Sequence, residues 1–155
     1  MRIGFGYDVH PFVEGRELKI GGIHIEHPYG LLGHSDADVL IHAICDALLG
    51  AANMRDIGFH FPDTSNEYHH LDSKLFLNKT MQIVRDSGFK LGNIDTTIVA
   101  EHPILNPFIP AMQKTLAEVM KVSVKDISIK ATTTEKLGFI GRKEGIAAYA
   151  VALLI

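Results

Sequence analysis

The chain has 155 residues, 46% of them hydrophobic and 21% charged, with a formal net charge of −3 when histidine is neutral. That length can bury a sizeable core as one domain; the composition excludes a disordered chain, and the acidic balance disfavours a duplex-binding surface. A single cysteine excludes a disulfide framework and fits a reducing compartment.

Residues 2–10, RIGFGYDVH, alternate. Ile3, Phe5, Tyr7 and Val9 share one side of an extended strand and Gly4, Gly6, Asp8 and His10 the other, because strand side chains repeat every two residues. The apolar side reads as the core face. The glycines read as small residues on a crowded face that ends in Asp-x-His. ELKIGGIHIEH (17–27) predicts a hairpin turning at Gly21-Gly22.

HSDADVLIHAICDALLGAA (34–52) predicts a helix with Ser35 as N-cap, Asp38 three residues on, and Gly50 near its end. Its apolar stripe is Leu40, Ile41, Ile44, Leu48 and Leu49, and Cys45 reads as a small buried hydrophobe. Residues 53–71 carry no clean period, as a lid or binding loop does. A helix from Asp72 to about Ser87, a strand over 94–100, a helix opened by Asn106-Pro107 and running through Met120, a strand in DISIKATT and a buried closing strand over 146–155 complete the chain. At ten residues, 146–155 is too short to span a bilayer as a helix. With no basic n-region before an apolar stretch at the start, the expectation is a soluble, cytoplasmic, single-domain α+β protein covering 1–155.

Asp8 and His10 on one strand face suit a divalent transition metal, and His42 on the first helix offers a third ligand. One carboxylate and two imidazoles with an open fourth position resemble catalytic zinc sites, although other metals accept the same donors. Asp38 and Asp46 lie four residues to either side of His42, so either is a candidate hydrogen-bond partner for its second ring nitrogen. His24, His27, His69, His70 and His102 read as surface or turn residues, and His60 lies in the long loop. His34 precedes the predicted cap, where free N–H groups favour anions, so His34-Ser35 is a candidate phosphate contact.

KATTTEKLGF (130–139) ends a strand in Thr132, Thr133 and Thr134 before a short helix. Three hydroxyls there can donate to phosphate oxygens, and Glu135 can hold Mg²⁺ between two phosphates; a plain strand end with Thr134 as N-cap is the simpler alternative. Asp56 and Asp63, around Gly58, can accept from sugar or polyol hydroxyls or be solvated loop acids. Arg142 and Glu144, near-neighbours on a turn, read as no more than an exposed ion pair.

GYDVHPF (6–12), GLLGHSDADVLIHAICDALLGAA (30–52), DIGFHFPDT (56–64), the Asp72-Ser73 helix start, LGNIDTTI (91–98) and KATTTEKLGFIGRKEGIAAYAVALL (130–154) together resemble the 2-C-methyl-D-erythritol 2,4-cyclodiphosphate synthase family, over essentially the whole chain. The resemblance implies an α+β domain with a mixed β-sheet on one side and helices on the other, assembling as a homotrimer around a β-lined axis with active sites between subunits. It implies Zn²⁺ on Asp8, His10 and His42, with the segment Asp8, Val9 and His10 also meeting substrate. Mg²⁺ or Mn²⁺ is expected near Glu135 with substrate. His34-Ser35 and Thr132, Thr133, Thr134 and Glu135 are implied to contact the phosphates, His34 and Thr133 as transition-state stabilisers. Asp56, Ile57 and Gly58 would hold the methylerythritol portion, and Phe61, Pro62, Asp63, Thr64 and Ser65 would reach the ribose. Ala100, Glu101, His102, Pro103, Ile104, Leu105 and Asn106 would form the cytosine pocket, with Phe139 and Arg142 also in the site. An axial cavity near Arg142 and Glu144 can hold an anion or isoprenoid diphosphate in such trimers.

One departure stands out. The family usually has Lys where this chain has Ile104, and small and amide residues at Glu101 and His102, so any phosphate contact from that Lys is lost. The implied activity is a lyase reaction of non-mevalonate isoprenoid biosynthesis, in which a substrate phosphate attacks a diphosphate and CMP leaves, with no nucleic acid or membrane partner. A metal-dependent phosphoesterase and a trimeric isoprenoid-diphosphate binding protein are the alternatives from other classes.

Overall fold

The computed structural model describes residues 1–62 and 71–155; Asp63, Thr64, Ser65, His69 and His70, singled out from the sequence, lie outside the described residues. In chain order the elements are β1 (Arg2–Glu14), β2 (Leu18–Ile20), β3 (Ile23–Ile25), β4 (Tyr29–Leu31), α1 (Val39–Ala51), α2 (Ile57–His60), α3 (Ser73–Asp86), β5 (Leu91–Val99), a 3₁₀ turn (Asn106–Phe108) leading into α4 (Ile109–Met120), a second 3₁₀ turn (Val124–Asp126), β6 (Ile127–Thr132), α5 (Gly138–Gly141) and β7 (Gly145–Leu154). Among the described residues the strands form a five-stranded sheet in the order β4-β1-β7-β5-β6 and the separate hairpin β2-β3. Only β5 and β6 pair in parallel, so the sheet is mixed, as expected. The hairpin turns at Gly21 and Gly22, both at positive φ (63° and 77°), which glycine adopts without steric cost.

The apolar side of β1 is not the core face. Ile3 and Phe5 are 74% and 63% exposed, and Tyr7 and Val9 are also open; the glycine side is the buried one. A Cβ on Gly6 would stand 1.9 Å from the carbonyl oxygen of Ala43, and one on Gly4 1.9 Å from that of Ala47. Helix α1 therefore lies directly on the β1 backbone. Opposite Gly4 and Gly6 β7 presents Ala152 and Ala150, with Ala148 next opposite Asp8, so this sheet face has almost no side-chain relief. Alternation shows that two faces differ and not which one is covered; a helix pressing on the glycines decides it.

The stripe Leu40, Ile41, Ile44, Leu48 and Leu49 is fully buried, as is Cys45, whose thiol burial pushes up to about 12. The N-cap is Asp38 and not Ser35: the Asp38 carboxylate accepts from Ile41 N at 3.0 Å, while Ala37 turns left-handed (φ 57°) just before it. The Ser35 hydroxyl accepts from Ala37 N instead. Both residue types make good caps, and the turn ahead of the helix selects between them. Helix α3 starts at Ser73, close to the predicted Asp72 start, and Asp72 is its N-cap.

Helices α1, α3 and α4 supply the core on one side of the sheet. The exception is short α5, whose Ile140 packs with Val99 and Ala147 in a small separate cluster. The closing strand is buried toward α1 but opens at Tyr149 and Val151 on the other face. No described helix is long and apolar enough to cross a membrane.

Gly6→Ala drives a methyl into helix backbone and is expected to destabilise the fold by at least about 1–3 kcal/mol. Gly50→Ala, whose Cβ would meet only Phe5 O at 4.0 Å inside α1, is expected to gain up to about 1 kcal/mol of helix propensity. Urea midpoints of the two variants read these opposite signs.

Candidate metal centre and substrate loops

The buried rail of β1 runs Gly4, Gly6, Asp8, His10, and α1 runs back along it. Where the glycines end, the helix presents His42. Its Nδ1 lies 3.1 Å from Asp8 Oδ2, and His10 Nε2 lies 2.9 Å from the same oxygen. The two ring nitrogens are 3.3 Å apart. Asp8, His10 and His42, each half-buried, form the group of described residues able to hold a metal ion. The backs of both rings are held: His10 Nδ1 donates to Leu32 O at 2.7 Å, and His42 Nε2 faces Ser73 Oγ at 3.0 Å and Ser35 Oγ at 3.3 Å.

The charges respond to this crowding. Burial alone would raise the Asp8 pKa, but the imidazoles of His10 and His42 packed against it hold it well below the ordinary carboxylate value. Burial likewise lowers His10, and the hydrogen bond and charge of Asp8 outweigh it and raise it. One carboxylate oxygen and two imidazole nitrogens converging in a half-buried corner, with ring orientations already set, fit a divalent cation such as zinc.

Neither helix carboxylate partners His42, contrary to expectation. Asp38 is fully buried and accepts from Gly21 N (2.9 Å), Gly22 N (2.7 Å) and Ile41 N; burial raises its pKa, and its task is to pin the β2-β3 hairpin to the start of α1. Asp46 accepts from Ile57 N at 2.8 Å and so fixes the segment Asp56, Ile57, Gly58. Burial raises Asp46 as well, with this hydrogen bond acting against it. Both groups spend their acceptors on loop backbone.

The remaining predicted residues fall into two places. On the α1 side, His34 is exposed beside buried Ser35, and Arg16 clasps the carbonyls on either side, Gly33 O at 2.7 Å and Ser35 O. Asp56 caps α2 by accepting from Phe59 N, and Pro62 is exposed. Phe61 is buried against Phe76, ring centroids 5.1 Å apart.

The second place is the end of β5 and β6. Ala100 N donates to Thr132 O at 3.0 Å, and the Glu101 carboxylate accepts from Thr134 N (3.1 Å) and Lys136 N (3.0 Å). The Lys136 bond, opposed by burial and helped by Thr134, lowers the Glu101 pKa. These bonds span Glu135 and Lys136, both left-handed (φ 52° and 64°), a costly state for non-glycine residues. Thr133 Oγ1 donates to Glu135 Oε1 at 3.2 Å. Thr134 is not a helix cap; α5 begins only at Gly138, and the Thr134 hydroxyl donates to Leu137 O. Leu105 is buried and His102, Ile104 and Asn106 are exposed around a cis His102-Pro103 bond. Phe139 lines a cavity of about 350 Å³ with Tyr7, Val99, Thr134 and Tyr149. Arg142 and Glu144 form the exposed pair, 2.7 Å.

Both places lie at one end of the sheet, but β7 and β5 separate them, and they use opposite faces. Val9, Ala147, Val99 and Thr132 form one cross-strand row on the face away from α1, whereas Asp8 and His10 point toward α1. Sequence reading did not single out Arg16, Asp36 or an anchoring role for Ser73 and Glu101. Their partners are mostly backbone groups or side chains 17 to 37 residues away, which leave no local pattern.

An α+β chain with a carboxylate–imidazole cluster beside helix- and loop-borne hydroxyls is the class that this fold and site define. The YgbB family model matches residues 1–155, and the chain belongs to that family. A 2-C-methyl-D-erythritol 2,4-cyclodiphosphate synthase of Parabacteroides distasonis is 70% identical over 154 residues, covering 99% of this chain and 96% of its own length. The bifunctional IspDF from Campylobacter jejuni superposes with a TM-score of 0.95 at 45% identity; the match covers 99% of this chain and 42% of that longer one. A 2C-methyl-D-erythritol-2,4-cyclodiphosphate synthase in a CDP-bound form superposes with a TM-score of 0.91 at 36% identity, covering 99% of this chain and all of that one.

In metal-free protein the raised His10 contributes stability that is full below 6.5 and lost as pH rises through its folded pKa. The depressed Asp8 contributes stability that is full above 3.8 and lost as pH falls through its folded pKa. Both contributions are therefore complete only between those values. An NMR titration of His10 is expected to give a midpoint above 6.5 that drops in Asp8→Asn; an unmoved midpoint refutes the coupling.

Proposed function

We propose that the chain converts 4-diphosphocytidyl-2-C-methyl-D-erythritol 2-phosphate into 2-C-methyl-D-erythritol 2,4-cyclodiphosphate and CMP, as a phosphorus–oxygen lyase of non-mevalonate isoprenoid biosynthesis acting in the cytoplasm. The observation that carries this reading is the convergence of Asp8, His10 and His42 within 3.3 Å of one another, in a chain that a synthase of that name matches at 70% identity. In the reaction an oxygen of the 2-phosphate bonds to the β-phosphorus, the bond from that phosphorus to the bridging oxygen breaks, and CMP leaves with the electron pair. No protein nucleophile is needed. Cys45, buried with its thiol pushed up to about 12, offers none.

The chain's work is then positioning and charge neutralisation. Holding a flexible polyol so that its two phosphates meet supplies up to about 7–11 kcal/mol of the barrier reduction. Asp56, Ile57 and Gly58, fixed through Asp46, hold the methylerythritol part, and His34 and Ser35, fixed through Arg16, donate to phosphate. Thr132 to Glu135, fixed through Glu101, meet the diphosphate, with His34 and Thr133 directed at charge that develops in the transition state. Phe61 to Ser65 reach the ribose, Ala100 to Asn106 hold cytosine chiefly through backbone groups, and Phe139 and Arg142 close the site. Asp8, His10 and His42 would hold zinc, which would supply Lewis-acid polarisation, and Glu135 would hold Mg²⁺ or Mn²⁺, which would supply neutralisation of phosphate charge.

Homotrimeric assembly with sites between subunits belongs to the same reading. Two features support it: Ile3, Phe5, Tyr7, Tyr149 and Val151 form an open apolar sheet face, and the metal corner and the base-and-phosphate loops use opposite faces of one chain, so a neighbouring copy can complete each.

³¹P NMR of protein with the diphosphocytidyl substrate and Mg²⁺ is expected to show a cyclic diphosphate and CMP together, abolished by a zinc chelator. An open-chain phosphate with CMP would indicate a phosphoesterase instead. Sedimentation equilibrium is expected to give three times the 17.1 kDa chain mass, falling toward one chain in Phe5→Asp; a monomeric wild type would defeat the shared-site reading.

A further inference from the structure

His42 turns Nδ1 to Asp8 and His10 and Nε2 to Ser73, and the hydrogen-bond inventory around Ser73 decides which nitrogen carries the proton. Ser73 opens α3 and is fully buried. Its hydroxyl donates to Oδ1 of Asp36, and its backbone N–H donates to Oδ2 of the same carboxylate at 3.1 Å. Lys19 Nζ stands 4.0 Å from that Oδ2. A carboxylate only accepts, and a hydroxyl carries one hydrogen. The Ser73 hydrogen is therefore committed to Asp36, and what Ser73 offers His42 Nε2 at 3.0 Å is a lone pair. The ring must donate there. A neutral imidazole with Nε2 protonated has its bare lone pair on Nδ1, the nitrogen facing Asp8 and His10. Ser35 Oγ, the longer contact at 3.3 Å, already accepts from Ala37 N and can accept from the ring as well.

We infer that Ser73 and Asp36 are positioning residues that hold His42 in its Nε2–H tautomer, and so decide which nitrogen His42 presents to a metal ion at Asp8 and His10. The inference rests on the metal reading of this corner. His10 is held by a simpler form of the same device, a backbone carbonyl behind its Nδ1. For His42 the device is built from two side chains brought from 31 residues beyond the ring and 37 residues before Ser73, and α3 carries one of them. The start of α3 and the orientation of a metal ligand are thereby one structural unit.

Two measurements on the same proteins test this. ¹⁵N NMR of histidine-labelled, metal-free protein reads the tautomer of His42, and competition for Zn²⁺ against a chromophoric chelator reads the affinity. Wild type is expected to show Nε2–H. Ser73→Ala is expected to populate the Nδ1–H form and to bind Zn²⁺ about 10–100-fold more weakly, and Ser73→Thr, which keeps the hydroxyl, to restore both. Should Ser73→Ala not fold, Asp36→Asn, which removes the charge that claims the Ser73 hydrogen, is expected to shift both readouts the same way. An Nδ1–H tautomer in wild type overturns the inference, as does Zn²⁺ affinity and tautomer unchanged in Ser73→Ala; in the latter case tight zinc binding by wild type leaves the metal reading standing. Wild type that takes up no Zn²⁺ overturns the metal reading, and this inference with it.

Discussion

The close approach of α1 to β1 is the constraint on which the rest of the molecule depends. Two glycines on the strand and the two alanines opposite them leave so little relief that the helix backbone rests on the sheet backbone. At ordinary helix–sheet spacing His42 would stand too far from Asp8 for the 3.1 Å contact it makes. The same choice has a second consequence, because side chains alternate along a strand. Emptying one face of bulk pushes Ile3, Phe5, Tyr7 and Val9 to the other, where they remain uncovered in the single chain. The corner of Asp8, His10 and His42 and the apolar outer face arise from one packing decision.

Around that contact, buried and half-buried charges serve backbone geometry. Asp38 ties a hairpin turn to a helix start, Asp46 holds the start of α2, Arg16 braces the carbonyls on either side of His34, and Glu101 spans two left-handed residues. Each satisfies main-chain groups that would otherwise be costly to bury or strain. The irregular segments at the site thus gain definite shapes without regular secondary structure, which a site that works by positioning needs. Ser73 and Asp36 apply the same economy to a ring instead of a loop.

The sheet order then distributes the functional groups. Strands β1 and β6 carry the two clusters at one end of the sheet with β7 and β5 between them, and the clusters face opposite ways. In the proposed reading, each face of such a chain carries half of a site. The apolar rows between those halves are where a neighbouring copy would seat, so the proposed assembly and the proposed site are aspects of one geometry.

Much of this was legible from the sequence. Period and punctuation located the strands and helices, because helix stripes and strand alternation follow from backbone geometry alone, and the Gly21-Gly22 turn and the Asp72-Ser73 helix start were where their chemistry requires. Asp8, His10 and His42 could be grouped, since two share a strand face and the third stands on the nearest long helix. Tertiary structure alone decided which face of β1 is buried, since that depends on what packs there and not on the strand's own pattern. It also decided that Asp38 caps α1 in place of Ser35, and that neither Asp38 nor Asp46 reaches His42. The serine partners of His42 and the partners of Arg16 and Glu101 were invisible beforehand for one reason: a hydrogen bond between groups 7 to 35 residues apart is specified by the fold, and no local sequence period encodes it.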